Sequence, residues 1–361
     1  MKICTIVGAR PQFIKAASLS RVLRQKHNEI LIHTGQHYDD NMSEIFFTEL
    51  DIPRPDYNLN IGSMSHARQT AAMMIGIEDV LLSEKPDAVI LYGDTNSTLA
   101  GAIVAGKLNI PIAHVEAGVR SFVRDMPEEQ NRMLTDHLAK WNFAPSALAV
   151  EHLKKEGITE SVHNVGDIMY DGLLYYSKKA EKNERDSFYK RIDYLMENKS
   201  TINIEYYLAT IHRPENTDDI NILTSILNGL NALNFPVLFP IHPRIKKAVM
   251  KIATDTQFNN IHFVKPLGYI DIIYFAKNAI KIITDSGGLH KEAFWLKIPS
   301  VVILRNTAWE ETLNGNCNVL ASPDKIDIID KVNNTVINYN CYNNTYYGDG
   351  TTAKQITELL I

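Results

Sequence analysis

The run Ala88-Val89-Ile90-Leu91 is apolar at every position, so as a strand it has no face to offer to water and must be covered on both sides. Helices are the natural cover, and helical patterns follow each short apolar run at Ile3 to Val7, Glu29 to His33, Ala88 to Tyr92, Ile112 to Val115 and Ser161 to Val165. A second series begins at Tyr206 to Ile211 and continues through Val237 to Phe239, Ile261 to Val264, Ile280 to Thr284 and Val301 to Leu304. At 361 residues the chain exceeds the size at which one core keeps growing. The expected architecture is α/β: two Rossmann-like, doubly wound domains, residues 1–170 and 171–345, with a last helix in 346–361 packing back toward the first. Between them, Ser177 to Ser200 is strongly charged and predicts a solvated helix with loops. The Asn-rich stretch Asn333 to Asn344 predicts a polar loop before a helix over Thr352 to Leu360.

Charge narrows the partners. Lys and Arg total 37 against 42 Asp and Glu, a formal net of -5, which argues against a surface for nucleic acid. Any affinity for phosphate must therefore be local. Cys4, Cys317 and Cys341 are odd in number and lack CxxC spacing, so neither a disulfide framework nor a zinc cluster is indicated and a reducing cytoplasm fits. No signal-like segment and no apolar run long enough to span a bilayer are present, so no membrane association is expected.

Two strand-to-helix turns draw attention. Ile280 to Thr284 breaks into Asp285-Ser286-Gly287-Gly288 and then into a helical pattern. Two glycines admit close approach to backbone N–H groups, Ser286 carries a hydroxyl, and the unpaired amides of a helix start attract phosphate. Glu292, one helical turn past Gly288, stands where ribose hydroxyls of a nucleoside diphosphate would lie. The other turn, Gly8-Ala9-Arg10-Pro11, leads to the same expectation at the amino terminus, so one ligand held between two domains is anticipated. GxGxxG is missing there, which disfavours a nicotinamide or flavin dinucleotide, and no cofactor is expected.

In open α/β sheets, ligands bind beyond the carboxyl ends of the strands. Arg10 and Lys15 follow the first run, Gly93-Asp94-Thr95 follow Tyr92, Glu116-Ala117-Gly118 follow Val115, and His212-Arg213 follow Ile211. Glu128 sits after Pro127 at a helix start. If Asp94, Glu116 and Glu128 converge, one carboxylate removes a proton while another returns one. Each has an ordinary alternative: Asp94 as a turn or cap residue, Glu128 or Glu129 as a charge complementing the helix dipole, His212 as a hydrogen-bonded core residue. Glu116 has least local duty, and burial would suit it to acid catalysis. The histidines show no metal-ligand spacing, HExxH is absent, and no metal is expected.

Taken together and in order, Val7-Gly8-Ala9-Arg10-Pro11-Gln12-Phe13-Ile14-Lys15, Gly93-Asp94-Thr95, His114-Val115-Glu116-Ala117-Gly118, Pro127-Glu128-Glu129 with Asn131-Arg132, His212-Arg213 with Glu215-Asn216, Thr284-Asp285-Ser286-Gly287-Gly288 with Glu292, and Tyr347-Gly348-Asp349-Gly350 resemble the non-hydrolysing UDP-N-acetylglucosamine 2-epimerases over nearly the whole chain. The resemblance implies a glycosyltransferase-B arrangement with a UDP-sugar in the interdomain cleft, a homodimer, and neither metal nor nicotinamide. It also implies loss of UDP from C1 as the C2 proton leaves, a 2-acetamidoglucal, and return of UDP with protonation on the opposite face. Asp94, Glu116 and Glu128 match the family's acid/base carboxylates, His212 its histidine near diphosphate and sugar, and Arg10 and Lys15 its basic residues. Ser286, Gly287 and Gly288 match the diphosphate turn, with Glu292 on the ribose.

Departures bear on the substrate. Leu267 and Ile272, near the expected uracil site, stand where common bacterial members carry glutamine and phenylalanine. Arg305-Asn306-Thr307-Ala308-Trp309-Glu310-Glu311 puts Trp309 where an arginine is common and is one residue shorter; an aromatic plate cannot reproduce bidentate cationic contact. These features resemble a subgroup that includes epimerases of UDP-2,3-diacetamido-2,3-dideoxyglucuronic acid. Gln36-His37 resembles part of a pocket where substrate activates some relatives, but Asp39 replaces a glutamine there, and such regulation is not expected. A hydrolysing epimerase, a glycosyltransferase on the same architecture, and a UDP-sugar sensor are the competing readings.

Overall fold

The computed structural model describes residues 1–35, 50–181, 192–195, 205–343 and 345–360. Gln36, His37, Asp39 and most of the charged stretch after Glu181 lie outside them. The described chain divides into two units, Met1–Tyr175 with Thr345–Ile361, and Tyr176–Asn344.

The first unit holds a seven-stranded sheet of β1 (Lys2–Val7), β2 (Asn28–His33), β3 (Tyr57–Asn58), β4 (Ala88–Tyr92), β5 (Ile112–Val115), β6 (Trp141–Ala144) and β7 (Val162–Asn164), in the order β3-β2-β1-β4-β5-β6-β7. All neighbours pair in parallel. Every residue of β4 is buried, as its unbroken apolar character requires. Val89 and Leu91 join Cys4, Ile6, Ile32, Met73 and Ile77 in the core beneath the helices His66–Glu84 and Asn96–Lys107. The helix Thr352–Leu359 closes this unit against the helix Arg10–Leu23. Its start is capped from within the unit: the Asp171 carboxylate accepts from the Thr352 and Ala353 amides at 3.2 and 2.8 Å.

The second unit repeats the plan with β8 (Tyr207–Thr210), β9 (Val237–Pro240), β10 (Ile261–Val264), β11 (Lys281–Thr284), β12 (Ser300–Ile303) and β13 (Asn318–Ala321), in the order β10-β9-β8-β11-β12-β13, again parallel. In each sheet the strand order reverses once, between β1 and β4 and between β8 and β11. At such a point the helices depart to opposite faces and leave a crevice beyond the strand ends.

The short strands β3, β6 and β13 were not anticipated. Trp141-Asn142-Phe143-Ala144 and Asn318-Val319-Leu320-Ala321 each contain an asparagine that weakens the β pattern, and tertiary pairing overrides it. One correction concerns cysteine. Cys317 and Cys341, 24 residues apart and read as unpaired, form a disulfide with Cα atoms 6.6 Å apart, where the 3₁₀ turns Glu310–Asn316 and Tyr339–Asn343 meet. Spacing along the chain carries no sign of that meeting. Cys4 is free and buried.

Candidate active site

In the first unit, the residues after β1, β4 and β5 gather at the reversal of strand order. Lys15, 5% exposed on the helix Arg10–Leu23, places Nζ 2.6 Å from Glu116 Oε1. Gly93 makes room for this pair: a Cβ there would lie 3.1 Å from Lys15 Nζ and 3.5 Å from Glu116 Oε1, and its φ is +61°. Glu116 itself takes φ +73°, a left-handed conformation that costs a residue with a side chain on the order of 1 kcal/mol and is concentrated at functional sites. Its amide and that of Ala117 both donate to the Phe143 carbonyl at 3.1 Å, which holds the strained turn.

Asp94 is not a cap. Thr95 takes that duty, its hydroxyl accepting from the Thr98 amide, and the Asp94 carboxylate pairs with Arg132 Nη2. Arg132 also donates to Glu129 Oε2 at 2.9 Å. Burial pulls the Arg132 pKa down, but Asp94, Glu129 and Glu116 outweigh it and hold the guanidinium more firmly charged than usual. Glu129 is committed to structure, accepting from Ser121 N, Ser121 Oγ and Phe122 N at 2.9 Å. Glu128 stands half-buried in the first turn of the same helix, Pro127–Leu138.

The turn after β1 differs from its expected use as an anion seat. Gln12 Oε1 accepts from the Gly8 and Ala9 amides at 2.8 and 3.0 Å, and its Nε2 donates to the Tyr92 carbonyl and Thr98 Oγ1 at 2.9 and 3.0 Å. The amides that were to meet phosphate are taken by a strut between β1 and β4. Arg10 begins the helix, and its side chain lies outside the described part of the structure.

The second unit has its own cluster at the β8/β11 reversal. Asp285, fully buried, accepts from His212 N at 3.1 and 3.0 Å, Arg213 N at 2.9 Å and Asn216 Nδ2 at 3.1 Å, and lies 3.1 Å from His212 Nδ1. Burial raises its pKa, but the bonds and charge from His212, the Arg213 amide and Asn216 prevail and hold it below the ordinary value. The carboxylate therefore orients His212, whose ring also stacks on His242 at 5.5 Å. Ser286 caps the helix Gly287–Leu296, its Oγ accepting from the Leu289 amide at 3.3 Å. The amides of Gly287 and Gly288 open that helix, where no preceding turn supplies carbonyl partners.

Cationic and aromatic groups border the start of this helix. A Cβ at Gly287 would come 3.7 Å from Arg213 Nη2 and 3.8 Å from Trp309 Nε1. Lys291, 1% exposed, sets Nζ 3.5 Å from the centre of the Trp309 ring. Burial first, then the charges of Lys291 and Arg213, push buried His290 down to about 3, so it is neutral. Glu292 Oε1 accepts from the Tyr269 hydroxyl at 2.6 Å, while Leu267 and Ile272 lie half-buried just before and within the helix Tyr269–Lys277. Among the described residues, no three His, Cys, Asp or Glu are grouped to hold a metal ion.

Sequence reasoning passed over Asp285, Gln12, Tyr269 and Lys291. Asp285 and Gln12 stand inside the quoted motifs without an assigned role, because their work is to bond backbone that only the fold brings near.

Residues 21–361 match the family model described as UDP-N-acetylglucosamine 2-epimerase. The chain is 48% identical over 366 residues to a Methanococcus maripaludis protein named UDP-N-acetylglucosamine 2-epimerase homolog, with 100% of this chain and 99% of the other covered. The chain belongs to the UDP-N-acetylglucosamine 2-epimerase family. It is thus an isomerase of the epimerase type on an α/β fold. It is also 41% identical to the Pseudomonas aeruginosa UDP-2,3-diacetamido-2,3-dideoxy-D-glucuronate 2-epimerase, covering 100% of this chain and 99% of that one. The crystal structure of the Methanocaldococcus jannaschii UDP-GlcNAc 2-epimerase in complex with UDP-GlcNAc and UDP superposes with a TM-score of 0.89 at 41% identity, covering 100% and 99% of the two chains. The epimerase family model begins beyond Arg10 and Lys15, whereas the alignments to these relatives cover the whole chain, the first turn included.

Proposed function

We propose that this epimerase inverts C2 of a UDP-N-acetylhexosamine by elimination and re-addition of UDP. The C2 proton is not acidic by itself. Its removal becomes feasible as the C1–O bond to UDP breaks and the electron pair of C2–H forms the C1=C2 bond of a 2-acetamidoglucal. UDP then adds back at C1 while a proton is delivered to the other face of C2, so atoms balance and no redox partner is needed.

The single observation that best supports this reading is the set of carboxylates at the β4 and β5 ends, each held by a buried cation: Asp94 by Arg132 and Glu116 by Lys15. Proton removal and return on opposite faces call for more than one acid/base group, and Asp94, Glu116 and Glu128 are the candidates in the first unit. In the second unit, His212, Arg213, Ser286 and the amides of Gly287 and Gly288 are assigned to the diphosphate, whose charge grows as UDP departs. Glu292 is assigned to the ribose, and Leu267, Ile272 and Trp309 to the rest of the nucleotide sugar. Arg10 is assigned to the same anion from the first unit.

UDP-GlcNAc/UDP-ManNAc is the proposed pair, and the 3-acetamido uronate is the second reading, favoured by the Pseudomonas relative. Incubation with each in deuterated water tests both. Deuterium at C2 with UDP still attached supports the epimerase; free sugar points to hydrolysis; bound substrate without any C2 exchange overturns the proposal. The proposal extends to a homodimer working in the cytoplasm in polysaccharide synthesis. The Cys317–Cys341 pair is the observation against that compartment, and a thiol count on protein taken directly from cells decides it.

A further inference from the structure

Beneath the carboxylates of the first unit lies a buried network that proton transfer itself does not use. His114, in the middle of the buried strand β5, is fully buried. Its Nδ1 lies 2.6 Å from Asp136 Oδ1, and its Nε2 lies 2.7 Å from the Gly93 carbonyl oxygen. A carboxylate and a carbonyl are both acceptors. The only ring that satisfies both is one that donates from both nitrogens, an imidazolium.

The neighbours fit that charge. Asp136 Oδ2 is already an acceptor, from the Gly118 amide at 3.1 Å and Arg120 Nη2 at 2.7 Å. Burial raises the Asp136 pKa, but His114 and Arg120 outweigh it and keep the carboxylate ionised. Arg120 is shared with Glu156, so His114 and Arg120 face Asp136 and Glu156 and the four charges cancel. From the strand ends, Glu116 is paired with Lys15 and Asp94 with Arg132. Two further histidines border the cluster: His152 has its Nδ1 3.1 Å from the Gly118 carbonyl oxygen, and the half-exposed His137 has its Nε2 3.9 Å from Glu156 Oε2.

The placement of the bonds matters more than their number. Asp136 grips the chain at His114 and at Gly118, on both sides of Glu116 with its left-handed backbone, and His114 carries the grip across to Gly93, the residue before Asp94. We propose that His114 is a positioning residue for the epimerisation, held as an imidazolium between Asp136 and the Gly93 carbonyl so that the turns bearing Asp94 and Glu116 keep their places. Loss of one ring proton removes a donor, frees one of the two acceptors, and relaxes one turn. This inference rests on the assignment of Asp94 and Glu116 to the chemistry.

Selective ¹⁵N labelling of the 12 histidines, with the His114 ring signals identified by their loss in H114Q, reads the proton count directly in the intact protein. Two N–H groups on the His114 ring at neutral pH are expected; a ring with one unprotonated nitrogen overturns the proposal. In H114Q and in D136N, kcat for C2 deuterium exchange should fall about 10- to 100-fold with KM unchanged, because misplacing acid/base groups harms the reacting geometry more than nucleotide binding. Wild-type kcat in D136N, or in a folded H114Q, also overturns it. If H114Q does not fold, the ring signals are assigned instead from their shift in D136N, and D136N carries the kinetic test. Absence of C2 exchange in the wild type would instead sink the proposed function and leave the ring proton count as a separate result.

Discussion

Lys15 Nζ stands 2.6 Å from Glu116 Oε1, joining the first helix of the chain to the end of β5 across 101 positions of sequence. The pair rests against the bare backbone of Gly93, so cation, carboxylate and turn form one packed unit. Glu116 therefore has a partner in place, whereas the sequence suggested a carboxylate with little local duty. An ion pair so enclosed is costly to break on one side only, since the remaining charge is left buried.

Replacing Glu116 with Gln should lower C2 deuterium exchange by about 10² to 10⁴-fold, the range associated with a lost acid/base group. Lys15→Met should lower it as well, and titration calorimetry should give near wild-type affinity for UDP in both variants, because the groups assigned to UDP are Arg10 and residues of the other unit, and neither variant removes them. Undiminished exchange in E116Q removes Glu116 from the chemistry.

Asp285 carries a pH signature. Its pKa in the fold is below the ordinary 3.8, so the stability it contributes is complete above that value and drains away as pH falls from 3.8 through the folded value. In D285N the wild-type excess of stability at pH 6 should shrink as acid unfolding is followed downward, and UDP should bind more weakly because His212 and Arg213 lose their anchor. Parallel unfolding curves for the two proteins across that range contradict the assignment.

Gln12 is a prediction about architecture. Gln12→Ala leaves the Gly8 and Ala9 amides without their partner and takes from the Tyr92 carbonyl one of its two donors, the Thr98 hydroxyl remaining, and urea unfolding should show a loss of about 2–4 kcal/mol. Gly8→Ala should also destabilise, because its Cβ would fall 2.2 Å from Ser97 Oγ and Thr34 Oγ1. A Q12A protein as stable as wild type shows that the strut is dispensable.

Asp171→Ala removes the cap of the helix Thr352–Leu359. About 1–2 kcal/mol of local protection should be lost there, read by hydrogen exchange of those amides against the amides of β4. Equal protection in variant and wild type counts against the cap.

Much of this protein was legible as text. Continuous apolar runs such as Ala88 to Leu91 can be buried only between helices, and the turn Asp285-Ser286-Gly287-Gly288 marks a helix start that Ser286 caps; both are local constraints, written in neighbouring residues. Partnership was not legible. That Gln12 fills the turn that resembled an anion seat, that Asp136 holds both sides of Glu116, and that Cys317 meets Cys341 depend on contacts between distant segments. A side chain's type states what bonds it is able to make; which bonds it does make, and so whether it reacts or braces, is decided by what folding brings within about 3 Å of it.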